Sequence, residues 1–173
     1  MQRLLVGAVI SEIPFNLMCS GSLLYPIHQN VLWSFLISIA LIHWNERTRA
    51  KGVLWKQVAV CVASIVIGYA AGLLTFVDFY HAGILTVLVF YFFHERKWWA
   101  FILQAICLYY VNVEMLGGMF VPVELFGQTF ELHQQSLALL ALIPIWLYRG
   151  RKGSESVLFR FGCYFFYPTH ILL

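Results

Sequence analysis

The chain is poor in charge. Lysine, arginine, aspartate and glutamate together make up 11% of its 173 residues, while 61% are apolar. A water-soluble domain of this length is nearer a quarter charged and under half apolar, so the composition excludes an ordinary soluble domain. Cysteine is also sparse. Cys19, Cys61, Cys107 and Cys163 lie in or beside apolar runs with no C-x-x-C between them. That spacing argues against a disulfide framework or a metal site and reads as small packed side chains. The sequence has no P-loop, no glycine-rich dinucleotide turn after a strand, no H-E-x-x-H and no G-x-S-x-G. It shows no repeat, no low-complexity stretch and no cleavable signal-peptide pattern: one early cation is followed by an apolar run interrupted by Glu12 and Pro14. The net charge of +3 is no nucleic-acid signal. Its meaning lies in where the charges sit.

What the chain has instead is apolar runs. Seven can be read, over residues 3–18, 30–44, 53–77, 79–93, 98–116, 133–148 and 157–173. Its six Trp and nine Tyr gather near the ends of these runs, as aromatics do at membrane interfaces. The expected fold is all-α: a polytopic transmembrane helical bundle of about seven segments, forming a single integral membrane domain over residues 1–173 and partnered by the lipid bilayer. The first run is short, and Pro14 in Ser11-Glu12-Ile13-Pro14 is expected to kink or end its helix. The third run carries Gly68 and Gly72 as a G-x-x-x-G, which allows close helix contact. Residues 117–132, with Pro122, Glu124 and Glu131, read as a longer surface connection.

All 11 lysines and arginines fall on one side of this arrangement. Arg3 precedes segment one. Arg47, Arg49, Lys51 and Lys56 join or flank segments two and three, and Arg96 and Lys97 join four and five. Arg149, Arg151, Lys152 and Arg160 lie between or just inside six and seven. The alternate connections contain none. Positive-inside bias then places the N-terminus in the cytoplasm and the end of segment seven outside.

Depth follows from the helical rise. Glu12 lies nine residues beyond Arg3, roughly 13 Å in. His170 lies ten residues beyond Arg160, about 15 Å in. Both are near the middle of an apolar core about 30 Å thick. Polar groups are costly against lipid, so these two and the outer groups His28, Gln29, Asn30, Asp78, Tyr80, His81, Asn112, Glu114 and His133 are expected to line a polar cavity opening outward.

Each has a plainer reading. Glu12 can satisfy backbone freed by Pro14. His28, Gln29 and Asn30 can be loop and cap residues. Asp78 can cap segment four and His133 can begin segment six. His81 and Asn112 can be packing residues, while His43 and His94 sit at the interfacial inner ends. The aromatic runs 90–93 and 164–167 read as packing or lipid-facing. The Glu/His/Asn/Asp set suits proton transfer, with a neutral histidine as base and a carboxylate to orient it. It equally suits proton-coupled transport, and spacing does not choose between them.

Several blocks resemble the TraX family of bacterial membrane proteins. RLLVGAVISEIPFNL resembles that family's R-L-L…S-x-I-P-F segment, and Gln29-Asn30-Val31-Leu32 resembles its next helix start. LALLALIPIWLYRGRKG is similar to its L-L-A-L-I-P-x-x-L-Y-x-G-x-x-G, and YFFYPTHILL to its closing F-Y-x-F-Y-P-x-H-L-L. The blocks fall in the family's order. Residues 78–83 are only loosely similar to a D-Y-G-like helix start.

The resemblance implies a multi-pass protein of the bacterial cytoplasmic membrane, of a family named for acetylation of the N-terminus of conjugative pilin. It implies an acyltransferase that takes an acetyl group from acetyl-CoA, without a metal, and passes it to an amine or hydroxyl. A pilin-like protein or an envelope glycan would be the acceptor. His170 and Glu12 would then be catalytic. Asn30, His28, Asp78 and Tyr80 would bind substrate, and Arg149, Arg151 and Lys152 would meet the donor's phosphates. The alternatives are a proton-coupled transporter or flippase, and a non-catalytic partner in pilus or envelope assembly. The family pattern places further helices, with an Asp-His pair, ahead of the R-L-L block, so this chain is expected to be an N-terminally truncated form.

Overall fold

The first apolar run forms one unbroken helix. In a computed structural model of the chain, α1 (Gln2–Ser20) continues through Pro14. The structure describes every residue except Phe126, Arg149, Arg151, Lys152, Ser154, Glu155, Leu172 and Leu173, and of Leu125 and Arg160 it describes the backbone alone. The expected break at Pro14 is corrected. Proline removes one helical N–H, but Pro14, Phe15 and Asn16 are all buried, so packing holds the turn that lost its bond. The helix ends at Gly21, whose positive φ of 67° lets its N–H return to the Leu17 carbonyl.

The next helices follow the apolar runs. They are α2 (Val31–Arg49), α3 (Leu54–Leu74), α4 (Tyr80–Phe92) and α5 (Trp98–Tyr109), the last running on as a wider π turn over Tyr110–Met115. Asn30 starts α2 as its N-cap, accepting the Leu32 N–H at 3.1 Å. After the π turn the chain leaves the helical pattern. β1 (Phe120–Leu125) and β2 (Gln128–His133) form an antiparallel hairpin. The all-α expectation is corrected here. Residues 120–133 alternate with a period of two, so Val121 faces Leu132 and Val123 faces Phe130, while Glu124 pairs with Thr129.

Segment six is also not one helix. Residues Gln134–Ala141 form a 3₁₀ helix and only Leu142–Leu147 is α-helical, as α6. Pro144 offers no N–H to the carbonyl four residues back, and its ring crowds that carbonyl. The α-ladder therefore does not extend upstream, and the tighter turn takes over. The last helix, α7 (Val157–His170), starts at Ser156, whose side chain accepts the Phe159 N–H at 3.1 Å.

The chain is thus mostly helical, with seven α-helices among the described residues. Two of them, α1 and α3, are long and apolar enough to cross a membrane. This is fewer than the seven crossings expected from composition. The hairpin and the short helices α4 and α6 account for much of the difference, because apolar runs were divided by turns that hydropathy does not register.

Contacts divide the chain into two compact units. The first comprises Met1–Val87 with Lys152–Leu173, and the second Leu88–Arg151. In the first, α2 and α3 are stitched by a buried polar network. Asn45 Nδ2 donates to Ser64 Oγ at 2.6 Å and to the Leu41 carbonyl at 2.9 Å, and Cys61 Sγ donates to Asn45 Oδ1 at 3.3 Å. Small residues and amide bonds of this kind join helices where no hydrophobic gain is available between them. The four cysteines are free. The second unit packs Val89, Leu108 and Leu142 together, and Gln104 accepts the Trp146 indole N–H at 2.7 Å while donating to the Phe93 carbonyl at 2.9 Å.

Gly68 and Gly72 are both buried on α3, as the G-x-x-x-G spacing implies. Gly72 is where the chain comes closest to the start of α4. A Cβ there would lie 2.4 Å from His81 Cα and 2.5 Å from its nitrogen. Backbone does not yield as a side chain does, so Gly72→Ala is expected to cost about 1–3 kcal/mol. Gly162, on α7, has nothing within 4 Å of an added Cβ. There alanine is expected to stabilise by about 0.5–1 kcal/mol through its better helix propensity. Thermal denaturation of the two variants in detergent should move in opposite directions.

Candidate functional site

Glu12 projects from the middle of α1 and is only partly exposed. A carboxylate in apolar surroundings is expensive unless donors reach it. Two do, both from the first turn of α2. Asn30 donates its amide N–H to Glu12 Oε2, and the Trp33 indole donates to the same oxygen at 3.0 Å. Asn30 is fully buried and has further partners: its amide also meets the Ala8 carbonyl at 2.9 Å, and its Oδ1 caps α2. One side chain thereby ties α1 to the start of α2 and aims the carboxylate. Among the described residues no hydrogen bond is made to Glu12 Oε1, which leaves that oxygen available to accept a proton.

A second polar pair lies on the loops beside this one. His28 Nε2 stands 3.5 Å from Asp78 Oδ1. The His28 ring packs edge-on to Phe15 at 5.3 Å and lies 6.0 Å from Tyr80. The loops are clamped together by backbone. Gln29 N–H donates to the Phe76 carbonyl at 3.0 Å, Asp78 N–H to the Gln29 carbonyl at 2.7 Å, and Ser34 Oγ to the Asp78 carbonyl at 3.3 Å. The clamped segment is strained: Phe76, Phe79 and Tyr80 have φ of 51°, 59° and 45°. Such conformations are uncommon for bulky residues and persist only where surrounding contacts impose them. Asp78 does not cap α4 in the ordinary way. Its Oδ1 takes the neighbouring Phe79 N–H at 3.1 Å. Burial pushes the Asp78 carboxyl above its usual range, and the hydrogen bond and charge of His28 and the Phe79 N–H offset part of that.

Tyr167 of α7 joins the two groups. Its hydroxyl lies near the backbone of Val31, at the start of α2, and within electrostatic range of Asp78 and Glu12. Reading residues 164–167 as packing or lipid-facing aromatics missed it, and composition could not single it out among four aromatics. Trp33 was missed as well, although its position one turn beyond Asn30 was a usable signal. Of the expected site residues, Glu12 and Asn30 are in direct contact, and His28, Asp78 and Tyr80 form the adjoining group. His170 is not brought to Glu12. It is exposed, its Nδ1 is 3.0 Å from the Phe166 carbonyl of its own helix, and it stacks on the Phe166 ring at 5.0 Å. Arg149, Arg151 and Lys152 lie outside the described residues. Asn112 bonds the Leu108 carbonyl of its own helix at 2.9 Å, a packing role. No cluster of potential metal ligands is found among the described residues.

These features describe a mostly helical protein with two helices fit to cross a membrane and a carboxylate held by buried donors where α1 meets α2. The family model described as TraX protein matches residues 1–173, and the chain belongs to that family. No curated protein and no solved structure matches it.

Two substitutions check the site's construction. Asn30→Ala removes a helix cap and takes one donor from each of two acceptors, the Ala8 carbonyl and Glu12 Oε2, and is expected to lower stability by about 1–3 kcal/mol. Asp78→Asn keeps an oxygen for the Phe79 N–H and removes the buried charge. An acid whose folded pKa is raised loses folding stability as pH climbs through that pKa. The Asn variant should therefore melt at or above the parent temperature near pH 8, and the gap should close as pH falls and Asp78 takes up its proton. A pH series of melting curves reads both.

Proposed function

We propose that the chain is a multi-pass protein of the bacterial cytoplasmic membrane that transfers an acetyl group from acetyl-CoA to an amine or hydroxyl acceptor. The observation that carries this reading is the Glu12 carboxylate, held through one oxygen by Asn30 and Trp33, with no hydrogen bond to the other oxygen among the described residues. An acceptor amine or hydroxyl loses its proton to Glu12 Oε1 as its nitrogen or oxygen attacks the thioester carbonyl carbon. The C–S bond then breaks, the electron pair leaves with sulfur, and Glu12 returns the proton to the thiolate. Asn30 and Trp33 keep the carboxylate aimed throughout. Tyr167, within electrostatic range of Glu12 and Asp78, donates to the oxygen that gains charge on the carbonyl. The His28–Asp78 pair at 3.5 Å supplies a polar surface for the acceptor.

Glu12, not His170, is the proposed base. The His170 ring commits one nitrogen to its own helix and has no carboxylate to orient it among the described residues. It fits better as a group meeting the acceptor at the outer end of α7. The positive-inside pattern puts the basic connections on the cytoplasmic side, where the anionic donor is found. Arg149, Arg151 and Lys152 remain candidates for its phosphates. The acceptor classes are a protein amine, such as the N-terminus of a pilin-like subunit, and a hydroxyl of an envelope glycan.

The test is acetyl transfer from radiolabelled acetyl-CoA by the protein in proteoliposomes, against a panel of amine and hydroxyl acceptors. Glu12→Gln is expected to lower kcat by about 10²–10⁴-fold with the melting temperature kept. Substrate flux with no donor consumed would replace this reading with proton-coupled transport through the same polar groups. Stable capture of a pilin-like protein with neither turnover nor flux would replace it with an assembly role.

A further inference from the structure

The joint between α1 and α7 is open. A groove of about 380 Å³ runs along it, within the range of small-molecule sites. Its floor is made by two small residues of α1, Gly7 and Ser11, and its walls include Ile10, Phe161 and Phe165. One end carries a cation, Arg3. Among the described residues Arg3 has no carboxylate partner. The groove therefore combines a long apolar trough with the positive charge of Arg3 at its mouth.

We infer that this groove holds one anionic phospholipid, its phosphate on Arg3 and one acyl chain lying along α1 towards Ser11. The inference rests on the membrane reading above. In that reading Arg3 is at the cytoplasmic headgroup level, and Ser11 is eight residues deeper, about 12 Å at the helical rise. A headgroup and a chain thus meet a charge and a trough in the right order and along the right axis. A free anion would satisfy Arg3 and leave the trough empty. A zwitterionic lipid would fill the trough, but its ammonium offsets the phosphate charge that meets Arg3, so an anionic headgroup is preferred. Ser11 and Pro168 border the deep end, and their sequence neighbours are Glu12 and Tyr167. The lipid is a spacer that sets how α7 lies against α1, and so where Tyr167 stands.

The experiment is native mass spectrometry of the full chain released from nanodiscs of phosphatidylcholine alone or mixed with phosphatidylglycerol. One retained phosphatidylglycerol per chain is expected from the mixture. Arg3→Gln should reduce the preference for phosphatidylglycerol about fivefold while still retaining a lipid. Ile10→Trp, which fills the trough from an exposed position, should reduce retention of both lipids. Equal retention by the parent and both variants overturns the proposal, as does a second copy of the chain in place of the lipid. A chain that enters no nanodisc and stays in aqueous solution overturns it together with the membrane reading. A chain that inserts but retains no lipid overturns the proposal alone.

Discussion

The arrangement of the first unit depends on one constraint: a carboxylate on an apolar helix has to be given donors. Glu12 sits mid-way along α1, half-buried among apolar residues, where an unpaired charge is costly. The donors come from Asn30 and Trp33, so the start of α2 has to lie against the middle of α1. Asn30 also caps α2 and bonds the Ala8 carbonyl. Satisfying Glu12, starting α2 and docking it on α1 are therefore one event. Once α2 begins there, the Val31 backbone lies near the Tyr167 hydroxyl of α7.

The loop between α3 and α4 is the second consequence. Its three bulky residues with positive φ are held by the Gln29–Val77 bridge and by Ser34. Close approach at Gly72 brings the start of α4 against α3 with no room for a methyl group. Strain is tolerated at this point because backbone hydrogen bonds and a close helix contact determine the loop from two sides. The result is that Asp78 is carried to His28, next to the Glu12 group. Two carboxylates thus stand in one neighbourhood with different surroundings, one held by two neutral N–H donors and one facing a histidine. Separated environments of this kind are how acid and base roles are divided among similar groups.

Parts of this were legible from residue order. Asn30 as a helix start, Glu12 as a mid-helix charge in need of partners, and the close contact at Gly72 follow from capping, burial and spacing rules that act within one or two turns. Helical rise put Glu12 and His170 at similar depth, but equal depth along two helices says nothing of the direction in which each side chain points. His170 turns to its own carbonyl and ring neighbours, while Tyr167, three residues earlier, reaches α2. The hairpin was read as a longer surface connection since its alternating pattern spans only two short strands between apolar runs. Pro14 and Pro144 have opposite outcomes for the same missing N–H. One lies in a turn with three consecutive buried residues, and the other lies where the upstream turns tighten to 3₁₀.

The sequence by itself determined the class of the chain: its apolar content, the placement of every cation, the helix-start and glycine signals, and the blocks that carry the TraX family. These are local or summed properties, set by composition and by spacing of a few residues. Only the tertiary structure decided which polar groups meet. Trp33 and Tyr167 entered the site, His170 stayed outside it, and the α1–α7 groove opened over Gly7 and Ser11. Those outcomes depend on how helices are rotated and offset against one another. That is set by the joint demand that buried donors and acceptors find partners while side chains pack, and no single segment of the chain encodes it.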